Sequence, residues 1–120
     1  MNPAEIEALL ALSESARALL AAVPGPGWFV SRNLDGSDAK ATPLGERYID
    51  EFCASVVRNG RAWAWCPDTF AIVQACGSGA RLRERDSGFG FEASKGPPLF
   101  LINAATPRLA ALRLLAAVSS

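Results

Sequence analysis

"RAWAWCPDTFAIVQAC", residues 61 to 76, is the stretch on which the fold turns. Two of the three tryptophans, Trp63 and Trp65, stand two residues apart behind Arg61. That spacing is the period of a β-strand, in which alternate side chains share a face. Arg61, Trp63 and Trp65 then lie on one face, and Ala62, Ala64 and Cys66 on the other. The small face suits a helix packed close against the sheet. Pro67-Asp68 interrupts the pattern, and residues 69 to 76 read as a second strand. Two more short runs, 80 to 85 and 89 to 92, follow breaks at Gly77-Ser78-Gly79 and Asp86-Ser87-Gly88. The whole region is expected to be an antiparallel meander closed by Lys95 to Pro98. Residues 99 to 104 fit either a fifth strand or a helical turn.

Helical patterns lie on both sides of this region. Asn2, Pro3 and Glu5 form a capping start, and the apolar spacing predicts one helix through residue 23, stopped by "PGPG" at 24 to 27. "WFV" at 28 to 30 reads as a short strand and 33 to 41 as a polar loop. A second helix is expected from Pro43 to Asn59, ended by Asn59-Gly60. Thr106-Pro107 starts a third, to about Val118. Its only polar side chains are Arg108 and Arg113, so it must be covered on more than one side, by the rest of the chain or by a second copy packed on residues 107 to 118. The expected fold is a single α+β domain over residues 1 to 120, with three helices packed on a four- to five-stranded antiparallel sheet.

Composition narrows the chemistry. Twelve basic residues balance twelve acidic ones, so no global charge draws the chain to nucleic acid or a membrane surface. Ten of the twelve bases are arginine. There is no histidine, which removes Ser-His and Cys-His catalytic pairs and histidine metal sites. Cys53, Cys66 and Cys76 form no close pair and read as reduced, buried thiols. No apolar run is long enough for a signal or a span, and the expected location is cytoplasmic. Neither a cofactor nor a metal is expected. "GFGFE" at 88 to 92 lacks the following helix and lysine of a phosphate loop, and "GSGAR" at 77 to 81 suits a hairpin turn. Asp68, Glu84, Asp86 and Glu92 cluster in sequence as paired carboxylates of a hydrolase would, but turn chemistry accounts for Asp68 and Asp86.

The strands supply the candidate surface. In "ARLRERD" Arg81, Arg83 and Arg85 share one face, opposite Ala80, Leu82 and Glu84. If both runs belong to one sheet with the small faces inward, Arg61, Trp63, Trp65, Arg81, Arg83 and Arg85 all lie on its outer face. Tryptophan and arginine are the residues richest in interface hot spots, and they also stack on unpaired bases. Against this stand two simpler readings: tryptophans filling the core, and an arginine ladder that is only a solvated strand face.

"ALLAAVPGPGWFV" (18 to 30) and "FLINAATPRLAALRLLAAV" (100 to 118) together resemble the Ead-like accessory proteins of temperate phages. Those proteins often have an alanine-leucine helix, a Pro-Gly-Pro-Trp break and then a strand, with a proline-started helix after a sheet. Trp28 here follows Gly27 rather than a proline, and the helix from 43 to 59 and "RAWAWC" have no clear counterpart. The resemblance implies a phage or prophage origin and a small accessory role, with no catalytic residues to carry over. The expected function is binding to, and modulation of, a macromolecular host partner such as a defence complex. The alternatives are a nucleic-acid-binding module on the same Arg/Trp face, or a homo-oligomer built through the last helix.

Overall fold

The computed structural model describes residues 1–45 and 56–119. Asn2 caps α1 (Pro3–Leu10) as the sequence indicates, its side chain accepting from the Glu5 amide at 2.8 Å while Glu5 accepts from the Asn2 amide at 2.9 Å. The expected single N-terminal helix is in fact two. Ser13 adopts extended backbone and its hydroxyl accepts from the Ala16 amide, starting α2 (Glu14–Ala21). A serine able to cap a new helix outcompetes continuation of the first.

Two antiparallel sheets follow. The first has the order β2-β1-β4-β3, from β1 (Gly27–Asn33), β2 (Lys40–Leu44), β3 (Val56–Arg58) and β4 (Arg61–Pro67). Both ends of the helix expected from Pro43 to Asn59 are therefore strands, and its middle, 46–55, lies outside the described residues. Asn59-Gly60 is not a helix stop. Both residues have positive φ, 54° and 75°, and turn β3 back onto β4 as a two-residue hairpin loop.

The run 69 to 76 is a helix rather than a strand. The Asp68 carboxylate accepts from the Ala71 amide at 2.9 Å and caps α3 (Thr69–Ala75), and Gly77 follows at φ 104°. Ile72 and Cys76, four apart, are buried while Phe70 and Gln74 are exposed, which is helical spacing. The expected meander is thereby cut in two. Among the described residues the second sheet holds β5 (Arg81–Glu84), β6 (Phe91–Lys95) and β7 (Phe100–Ala104), in that order. Residues 100–104 thus take the strand alternative. The chain is α+β, with four described helices and two sheets in place of three helices on one sheet.

The last helix, α4 (Pro107–Ser119), packs against β5, β6 and β7 on one side and against α1, α2 and α3 on others. β4 rests in turn on α1 and α2, so the helices lie between the sheets. Leu109, Ala110, Ala111, Leu112, Leu114 and Leu115 are all buried. Elements of the same chain cover these leucines and alanines, while Arg113 and Ala116 reach the surface. No described helix is long and apolar enough to cross a membrane.

One polar knot joins the two ends of this core. The Thr106 hydroxyl accepts from the Leu109 amide at 3.1 Å, capping α4, and donates to Glu5 at 2.6 Å across a hundred residues of sequence. Arg108 lies 3.5 Å from the same carboxylate and 5.8 Å from the Trp28 ring. Burial alone would raise the Glu5 pKa, but Thr106, the Asn2 amide and Arg108 together hold it below the ordinary 4.5. Glu5 therefore stabilises the fold fully above pH 4.5, and this contribution fades as pH falls through the depressed folded value. Glu5→Ala is expected to cost about 2 kcal/mol near pH 7 and less in acid, below the depressed folded value, read from urea melts at both. An equal gap at both pH values would show that the charge is immaterial.

Candidate functional site

The six residues that the strand pattern assigns to one face divide between the two sheets. Arg61, Trp63 and Trp65 are on β4; Arg81 and Arg83 are on β5 and Arg85 just beyond it. The single Arg/Trp face does not form, because α3 stands where the connecting strand was expected.

Arg61 serves the fold. Its Nη1 donates to Asn33 Oδ1 at 2.8 Å and Asp38 Oδ2 at 2.7 Å, and its Nη2 donates to Ser31 Oγ at 2.7 Å and the Asp38 carbonyl at 2.8 Å. The guanidinium thereby staples the 34–39 loop onto β1, with the Trp63 ring 5.7 Å away. Trp63 is half-buried and stacks on Phe29, centroids 5.1 Å apart, a diagonal pairing across β1 and β4. Trp65 is only 1% exposed. It packs so close to β1 that a Cβ on Gly27 would meet its ring and the Cys66 carbonyl. The opening strand is a core strand on both faces.

Burial also settles the thiols. Cys66 is pushed up to about 12 and Cys76 to about 11, the latter against the pull of Lys95. Both are protonated and inert as nucleophiles near neutrality; Cys53 lies outside the described residues. Asp68 caps α3, Glu92 accepts from Arg83 Nε at 3.0 Å, and Asp86 reaches the same arginine at 4.0 Å. Among the described residues no group of three or more histidine, cysteine or acidic side chains could hold a metal ion.

The arginines of β5 differ from Arg61. Cross-strand register aligns Arg81 with Ser94 and Leu101, and Arg83 with Glu92 and Asn103. These side chains share the face of the second sheet that points away from α4, since Leu82, Ala93 and Ile102 occupy the other. Arg81, Arg83, Arg85 and Leu101 are all exposed, and among the described residues Arg81 and Arg85 have no ion-pair partner. Beside this face, at the outer edge of β5, runs a groove of about 530 Å³ between β5 and α3. It is lined by Phe70, Val73, Ala80 and Leu82, with Arg81 and Arg83 at its rim. Phe70 is 70% exposed there. Its role was hidden in the sequence because the groove exists only if α3 is a helix, and the signal for that was Asp68 before the run and Gly77 after it.

A variant keeping Trp65 alone, with Trp28→Phe and Trp63→Phe, is expected to emit in the blue and to resist acrylamide quenching until the protein is unfolded. Red-shifted, freely quenched emission from the folded variant would contradict the burial. No protein-family model, curated protein or solved structure matches the chain, so the site is read from its own geometry.

Proposed function

We propose that the chain is a non-enzymatic binding protein that docks on a macromolecular partner through the open arginine face of β5–β7. The observation that carries this reading is the ladder of Arg81, Arg83 and Arg85, exposed beside Leu101 while the other interface candidates are committed to the fold. Arginine forks on a rigid strand bind carboxylate or phosphate with little ordering cost, and an adjacent apolar residue supplies the desolvated centre that a hot spot needs. Net neutrality favours a protein over nucleic acid, since binding to a phosphate backbone draws on a broad positive field. A role as a phage-encoded modulator of a host complex, in the cytoplasm of a bacterium, belongs to the same proposal and rests on the resemblance at residues 18 to 30 and 100 to 118.

The test compares wild type with an Arg81→Ala/Arg83→Ala/Arg85→Ala variant as bait in bacterial lysate, with cross-linking and quantitative mass spectrometry. Circular dichroism and melting should be nearly unchanged, because all three side chains are exposed. A partner retained by wild type and depleted about tenfold or more on the variant, a loss of ~1.4 kcal/mol, is the expected result. The same partners on both baits would refute the arginine face. Retention of nucleic acid with a steep salt dependence would move the function to the alternative class.

A further inference from the structure

We infer that the groove between β5 and α3 accepts an extended acidic peptide, which joins the second sheet as a fourth strand along the free edge of β5. The inference rests on the docking reading above and names the partner's chemistry. Among the described residues β5 is an edge strand, paired only with β6. Its hydrogen-bonding phase is fixed by the Arg85 amide, which donates to the Gly90 carbonyl at 3.0 Å, on the β6 side. Amides two apart on a strand point the same way, so those of Arg81 and Arg83 also face β6. The N–H and C=O groups of Leu82 and Glu84 therefore point out of the sheet into the groove. They are the unpaired template that strand addition uses.

The same phase dictates the peptide's pattern. A strand ~5 Å outside β5 sets one of its faces beside Arg81, Arg83 and Arg85 and the other beside Leu82 and Glu84. The first face calls for carboxylates. On the second, the residue next to Leu82 turns toward Phe70 and Val73 and must be apolar, while the residue next to Glu84 stays polar. The recognised segment thus alternates acidic, apolar, acidic. α3 forms the far wall of the groove, and its exposed Phe70 covers the apolar side chain.

Charge also argues against a second copy of the chain as the occupant. Two β5 edges paired with each other would bring arginine rows of like sign side by side, which repels self-association while leaving the edge open to an acidic strand.

The probe is a phage-displayed library of random dodecapeptides, selected on the full chain. Retained sequences should show acidic residues at alternate positions around an apolar one. For a synthetic peptide carrying that pattern, Phe70→Ala should weaken binding at least about fivefold and Arg81→Glu/Arg83→Glu should abolish it. Methylating single peptide amides should weaken binding about tenfold at every second position and little between. Acidic peptides that need the arginines but ignore Phe70→Ala and amide methylation would overturn strand addition and leave the arginine-face reading standing. Peptides retained equally by the Arg81→Ala/Arg83→Ala/Arg85→Ala variant would remove both. A library that yields no enrichment overturns this inference, while the docking reading is judged by its own cross-linking experiment. Displacement of the peptide by a single-stranded oligothymidylate, or a concentration-dependent dimer abolished by Phe70→Ala, would assign the groove to nucleic acid or to a second copy instead.

Discussion

A helix with almost no wet side is the constraint that organises this molecule. α4 carries four buried leucines and two buried alanines, and only Arg113 and Ala116 of its central turns reach solvent. Each such leucine contributes about 2 kcal/mol on burial, so the fold must supply neighbours around nearly the whole circumference. It does so with β5–β7 on one side and the three shorter helices on the others. The first sheet reaches this centre mainly through α1 and α2, with Arg108 of α4 lying 5.8 Å from the Trp28 ring of β1. That placement explains why the second sheet has a single apolar face: α4 takes the side of Leu82, Ala93 and Ile102, and the arginine side is left outside.

Burial fixes what packs together but says little about where helices begin, and here buried polar groups take over. Thr106 caps α4 and Asn2 caps α1, and both caps converge on one carboxylate, Glu5. A charge taken out of water must keep its partners, so sliding α1 along α4 would strand Glu5 without them. The knot sets the register of two helices that are far apart in sequence. It costs little, because Asn2 and Thr106 were needed as caps in any case.

Much of the architecture was legible because caps and prolines are local. Asn2-Pro3, Thr106-Pro107 and the alternation in 61 to 66 all read correctly. The pattern is ambiguous where one short run satisfies two periods. "TFAIVQA" alternates well enough for a strand and repeats well enough for a helix, and only Asp68 and Gly77 decide between them. Asn59-Gly60 ends helices and also turns hairpins, and β4 after it was the clue that a strand preceded. At Leu12-Ser13 the apolar period runs on while the cap does not, so periodicity alone hid the break.

The candidate site was half legible for the same reason. Strand parity put Arg81, Arg83 and Arg85 on one face, and local alternation is enough to see that. It also put Arg61 beside Trp63 and Trp65, but parity cannot say whether a face is wet. That depends on distant residues: the 34–39 loop claims Arg61 through Asp38, and Phe29 and Gly27 bring β1 against the indoles. The two arginine groups thus part by partnership rather than by residue type. Arg61 commits both terminal nitrogens to Ser31, Asn33 and Asp38, which holds it against the fold. Arg83 has Glu92 as an aligned partner, while Arg81 and Arg85 stand on either side of it with no ion-pair partner among the described residues. A central arginine held in position between two unpaired ones is a row that an incoming run of carboxylates could match, and the edge of the sheet is where such a row can be reached.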